Sequence, residues 1–354
     1  MKEVTDNPIL SVSARDVEWL RSFSAEAEAT GQLTDDQLAI IYDKRWFKLF
    51  VPRALGGLEL TLPDGVRLEE ELARIDGSLG WTVTLCAGAN MFVGFMDQSI
   101  APAIFSGREV CLGGSGQPSG RAVIGNGGFK ISGTWNYATG APHLTHFTAN
   151  CVLERNGEVL VDQGGNPVIS SFFFPRDHVR IKEDWNAFGL TATASHSFTV
   201  DTLWVNESQA FVIAPDKATL DHPIYRYPFL QLAEATLAAN TLGMAQHFLA
   251  CATTIGSSVP ADLLYNGGRR LIKARTLFYA ALDASWDELL HNDIISPPAL
   301  QAVSDQSRAV VSTSREEVVR VYPLLGLIAA DGSSEINRIW RDMFTASQHS
   351  LLRS

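Results

Sequence analysis

The spacing of apolar residues changes twice along this chain and divides it into three stretches. From about Ser13 to Phe105 they recur every three or four positions. Val17, Leu20, Phe23 and Ala27 share one helix side, and a Thr/Asp cap opens a second apolar helix at "TDDQLAIIYDKRWFKLF". "VPRALGG" marks a turn, after which "PDGVRLEEELARIDGSLGW" is acidic on one side and Leu/Ile on the other. Between about Gly107 and Glu207 the period falls to two. "FKISGTWNY", "HFTANCVLE", "VISSFFFP", "HVRIKE" and "HSFTVDTLWV" read as short strands between Gly- and Asn-rich turns, which predicts a small antiparallel barrel or sandwich. From about Tyr227 the helical period returns in four segments, three of them long, and these predict a bundle.

Composition narrows what such a chain can do. Its 354 residues are 46% hydrophobic and 19% charged, as in an ordinary globular protein. A net charge of -11 with no Lys/Arg-rich run repels nucleic-acid phosphates and anionic membranes, so neither is an expected partner. The apolar run "LGWTVTLCAGANMFVGFM" is Gly-rich and contains Asn90, which favours a buried helix over a membrane span. Cys86, Cys111, Cys151 and Cys251 are far apart with no C-x-x-C pair, which argues against a disulfide framework or a zinc site; a cytoplasmic setting fits.

Three places could carry chemistry. The first is the Gly/Ser-rich loop from Leu112 and the strand after it, where Trp135, Tyr137 and Thr139 precede Gly140. Loop N–H groups and a strand edge can converge on a flat or anionic ligand, although ordinary barrel turns have the same composition. The second is "DWNAFGLTATASHSF", where Thr191, Thr193 and Ser195 alternate as a hydroxyl row on one strand face. The third is the last helix. There Ile336, Ile339, Trp340, Met343, Ser347 and Leu351 fall on one side, and Arg338, Asp342, Thr345 and His349 on the other, either a solvated stripe or the wall of a cleft. His143 and His146 form H-x-x-H without nearby Asp, Glu or Cys in sequence, so no metal is expected. Nucleotide-triphosphatase, metalloprotease and serine-hydrolase motifs are absent.

In order, "FKLFVPRALGG", "RIDGSLGW", "GGFKISGTWNYATGA", "DWNAFGLTATASHSFTVDTLWVNES" and "INRIWRDMFTASQH" resemble the motifs of the acyl-CoA dehydrogenase superfamily of flavoproteins. The resemblance implies an α+β chain of three domains: an α-helical N-domain (1–106), a central antiparallel β-barrel (107–222) and a C-terminal four-helix bundle (223–354). Where the dehydrogenases hold a catalytic Glu shortly after the Arg-Asp pair, this chain has Gln348, His349 and Ser350. That departure, with "GTWNYATG" on the flavin strand, resembles the two-component flavin monooxygenase branch. It implies the oxygenase component of such a system, taking reduced FMN or FAD from a separate NAD(P)H flavin reductase and using O2 to hydroxylate a small aromatic or heteroatom-containing substrate, as a homotetramer or homodimer. Carried over, Thr139 lies by the flavin N5, with Gly140 beside it; Ser115 faces the flavin pyrimidine or the substrate; Trp135 and Tyr137 pack near the isoalloxazine; Thr193 and Ser195 line the cavity; Asn90 hydrogen-bonds substrate; His349 is the acid/base. The alternatives are a dehydrogenase or oxidase with Glu335 or Asp331 as base, and a flavin-free protein that keeps the fold.

Overall fold

Capping residues set where the N-terminal helices begin. The computed structural model describes residues 12–255 and 259–353. Ser13 caps α1 (Ala14–Ser22), which runs into α2 (Ser24–Thr30). Thr34 and Gln37 close a capping box on α3 (Asp35–Asp43), and Thr61 caps α4 (Leu62–Ile75). Asp76 breaks the chain from α4 in an extended conformation and starts α5 (Gly77–Asn90), its Oδ1 accepting the Leu79 N–H at 2.8 Å. The apolar run through α5 is buried inside the fold, as expected of a core helix. A short α6 (Ala101–Phe105) leads to the strands.

Eight strands form one sheet: β1 (Leu112–Gly125), β2 (Gly128–Ala138), β3 (His146–Arg155), β4 (Glu158–Val159), β5 (Ile169–Pro175), β6 (Arg180–Lys182), β7 (His196–Asn206) and β8 (Ala210–Phe211). The order is β6-β7-β2-β1-β3-β5-β8, with β4 paired to β3. Two expectations are corrected here. The stretch read as a Gly/Ser loop is the longest described strand, β1, because backbone pairing to β3 at Leu112–Ser115 and again from Gly120, joined by β2 from Arg121, replaces the side-chain alternation that its glycines lack. The sheet is also not purely antiparallel, since β1 runs parallel to β3. Gly114 makes that pairing possible: a Cβ there would sit 1.9 Å from the Thr148 carbonyl oxygen.

After α7 (Pro223–Arg226) come α8 (Phe229–Ile255), α9 (Ala261–Asn292), α10 (Pro297–Val321), α11 (Leu327–Ala330) and α12 (Glu335–Ala346). α8 is apolar nearly all round because α4, α5, α9, α10 and α12 all pack on it, so the first and last helical stretches share one core. Glu70 accepts from the Arg275 guanidinium at 2.7 Å and from the Tyr279 hydroxyl, joining α4 to α9.

Candidate active site

Two backbone kinks bring three hydroxyls together. Leu190 (φ 54) and Ala194 (φ 44) adopt left-handed conformations on either side of a 3-10 turn at Thr191–Thr193. The predicted strand alternation of Thr191, Thr193 and Ser195 is therefore wrong; β7 starts only at His196. The turn does what alternation could not. Thr193 Oγ1 donates to the Leu190 carbonyl at 2.8 Å and lies 2.8 Å from Ser195 Oγ, which is 2.9 Å from Thr139 Oγ1. On the facing strand the β2–β7 register breaks between Trp135 and Ala138, with Tyr137 at φ 66. Gly140 follows at φ 75, and its N–H donates to the Thr193 carbonyl at 2.8 Å, which locks the two segments together. The hydroxyls of Thr139, Thr193 and Ser195 are buried.

The Arg341-Asp342 pair of α12 holds this turn in place. Leu190 N–H donates to Asp342 Oδ1 at 2.5 Å and Arg341 Nη1 donates to the Phe188 carbonyl at 3.0 Å. Gly189 passes so close that a Cβ would lie 2.1 Å from the Arg341 carbonyl oxygen. Asp342 is wholly enclosed, and burial followed by the nearby Asp76 pushes its carboxyl up to about 8. Arg338 is also buried, 4.0 Å from Asp76 and 3.9 Å from Glu28. The polar stripe thus faces protein, not water.

His349 is not on the helix. α12 ends at Ala346, and His349 opens a short 3-10 turn at Ser350–Leu352, half-buried and edge-to-face with Trp81 of α5, the ring centroids 6.1 Å apart. Its Nδ1 accepts the Leu351 N–H at 3.4 Å, and burial, then the Arg353 charge, lowers its pKa. Along α5 the only accessible positions are Leu85 and Gly88, four and seven residues after Trp81, with open space around Gly88. Asn90 is fully buried; its Nδ2 donates to the Cys86 carbonyl at 2.9 Å and its Oδ1 has no partner.

The remaining expected residues divide. Ser115 is half-buried where the β1–β3 pairing jumps from Ser115↔Ala149 to Gly120↔Cys151, leaving Gly116 to Ser119 as an exposed bulge pinned by Asn150 Nδ2 on the Gly116 carbonyl at 2.9 Å. Tyr137 is exposed beside Trp185. Trp135 is fully buried, stacked 5.0 Å from Phe198, with its indole N–H on the Asn150 carbonyl. It has no face left for a ring system and supports the sheet from within, which corrects its expected place against a flavin. Glu335 is tied to His247 Nε2 at 3.1 Å, which lowers its pKa, and exposed Asp331 holds Ser333; neither is a free base. Two clefts of about 800 and 600 Å³ lie against α1 and α8 and include none of Thr139, Ser195 and His349. Sequence reasoning missed the Asp342–Leu190 link and a cluster of Cys86, Cys111 and His143, because both join residues far apart in the chain.

Thr139, Thr193 and Ser195 form a buried row of hydroxyls, and Asn90 Oδ1 and Thr345 Oγ1 are buried without a hydrogen-bond partner. Residues 269–354 match the family model "Acyl-CoA dehydrogenase, C-terminal domain". The chain is 26% identical over 320 residues to an indole-3-acetate monooxygenase of Pseudomonas putida, covering 86% of this chain and 80% of that one. It is 25% identical over 355 residues to the flavin-dependent monooxygenase oxygenase subunit HsaA of Mycobacterium tuberculosis, covering 93% and 88%. The HsaA crystal structure superposes with a TM-score of 0.89 at 19% identity over 98% of this chain and 93% of that one. XiaF from Streptomyces, solved with FADH2 and glycerol, superposes with a TM-score of 0.88 at 19% identity, covering 98% and 91%. Fold, C-terminal match and relatives agree, and the resemblance of the sequence to the acyl-CoA dehydrogenase superfamily, in its flavin-dependent monooxygenase branch, is borne out.

Proposed function

We propose that this protein is the oxygenase component of a two-component flavin-dependent monooxygenase, using reduced flavin from a separate NAD(P)H flavin reductase to hydroxylate a small aromatic or heteroatom-containing substrate. The observation that carries the reading is the buried Thr139–Ser195–Thr193 hydroxyl row at the end of β2, in a chain whose relatives are monooxygenases. Bound reduced flavin, FMN or FAD, supplies the electrons that activate O2, one atom of which enters the substrate and the other water. Thr139 and Ser195 would hold the flavin edge, with Gly140 and the bulge at Ser115 bounding the site and the exposed Tyr137 covering it. With Nδ1 of His349 accepting from Leu351, the ring proton sits on Nε2, so His349 donates a hydrogen bond there and is neutral at pH 7. Trp81, Leu85 and the aromatic sheet core keep water out.

In the same reading the chain comprises domains at 1–106, 107–222 and 223–354, with an open, barrel-like sheet in the middle one and a four-helix bundle in the last. It assembles as a homotetramer or homodimer in the cytoplasm. The exposed Leu327, Ile328 and Ile272 on the C-terminal helices support self-association. The test is oxygen consumption and product formation with a generic flavin reductase, NADH and a panel of phenols and indoles. Substrate-dependent hydroxylated product is expected; no flavin binding and no product across the panel refutes the proposal.

A further inference from the structure

Cys86 from α5, Cys111 just ahead of β1 and His143 in the turn after β2 meet in the interior, their ligand atoms all within 4.8 Å of one another. Sequence spacing placed no cysteine near His143; the tertiary fold brings two. Both thiols are fully buried, and His143 Nε2 is buried with no hydrogen-bond partner. The three groups are held from outside. Phe47 stacks on the His143 ring at 5.3 Å and 13°. Arg176 Nη1 donates to the Ala141 and Pro142 carbonyls at 2.8 and 2.9 Å, while the Cys111 N–H donates to Thr145 Oγ1 at 3.1 Å and the Thr145 N–H to the Cys111 carbonyl at 2.8 Å. Gly140 leaves them room, since a Cβ there would sit 2.6 Å from His143 Nε2 and 3.3 Å from Cys86 Sγ.

We propose that Cys86, Cys111 and His143 form a buried binding site for a thiophilic divalent cation such as Zn²⁺ or Cd²⁺. Two sulfurs and an imidazole are the donor set that such cations select. Sulfurs bound at about 2.3 Å in a tetrahedron are about 3.8 Å apart, so the cluster needs only a small contraction to close on an ion. Two thiolates neutralise the cation, their protons leave to solvent, and no net charge is left buried. Water or the Thr139 carbonyl, 3.8 Å from Cys86 Sγ, completes the shell. A second cluster, His247, Cys251 and Glu335, is less suited because Arg21 lies 3.8 Å from Glu335 and repels a cation. Occupancy ties α5 to the turn that follows Thr139 and Gly140, and it does not depend on flavin binding.

The metal-free full-length protein is titrated with Cd²⁺, following the thiolate-to-cadmium ultraviolet band, and with Zn²⁺ against a chromophoric chelator. One equivalent per chain is expected, with release of up to two protons. Cys86→Ser and Cys111→Ser each weaken binding at least ~100-fold and His143→Asn about 10-fold or more, whereas Cys151→Ser leaves it unchanged. X-ray absorption of the zinc-loaded wild type needs no variant to fold and should give two sulfur neighbours. No thiolate band, a band that survives both serine variants, or a shell of oxygen and nitrogen alone overturns the proposal.

Discussion

Asp342→Asn tests whether the turn that carries Thr193 and Ser195 is held by a neutral carboxyl. Unfolded, Asp342 loses its proton near pH 4; folded, it keeps the proton to about 8 because burial and Asp76 penalise the charge. Folding therefore takes up a proton between about pH 4 and 8, so this contribution to stability is full at low pH and falls as pH rises through the window. At about 1.4 kcal/mol per tenfold step in proton affinity, the upper bound is about 6 kcal/mol, and relaxation of the site reduces it to about 2–3 kcal/mol. Asparagine keeps an oxygen for the Leu190 N–H, leaves Asp76 and Glu28 to Arg338, and cannot ionise. Thermal melts from pH 5.5 to 8.5 should show the two proteins within about 1 kcal/mol at the acid end. At pH 8.5 the variant should melt about 4–6 °C higher, at roughly 2 °C per kcal/mol for a chain of this size. Parallel curves, or a variant that melts no higher at pH 8.5, would refute a protonated Asp342. The comparison is between curves because buried Glu69, also pushed up to about 8, bends both in the same direction.

His349→Ala should retain reduced-flavin binding while product formation falls about 100-fold and peroxide release rises, measured as product against H2O2 in the coupled assay. Because burial lowers the His349 pKa, wild-type product yield should hold to a pH below the ordinary histidine range and then fall, and the alanine variant should lose that step. Thr139→Val keeps the shape but breaks the 2.9 Å contact with Ser195; about 1–2 kcal/mol of stability and at least tenfold in activity should go, read by melting and turnover. Gly189→Ala drives a Cβ into the Arg341 carbonyl and should impair activity more than secondary structure, checked by circular dichroism beside the coupled assay. Trp135→Ala should cost about 3–5 kcal/mol through its cavity, measured by denaturant unfolding, because the ring is core and not cofactor lining.

The sequence alone determined the helical and strand stretches, since period and capping residues are local. Thr34 with Gln37 and Asp76 start helices where their side chains reach their own first turns, and β2, β3, β5, β6 and β7 lie where alternation put them. The order of motifs was enough to carry the resemblance to the acyl-CoA dehydrogenase superfamily. Only the tertiary structure decided the site. β1 is a strand because neighbours pair with its glycines, and Ser195 links Thr193 to Thr139 through two left-handed kinks that no alternation rule contains. The stripe of Arg338 and Asp342 is buried because the loop at Gly189 and Asp76 pack over it, and Cys86 finds Cys111 and His143 across the core. Periodicity records which side of an element is apolar; it cannot record which distant backbone presses on that side, and in this protein those long-range contacts set the geometry and protonation of the groups that do chemistry.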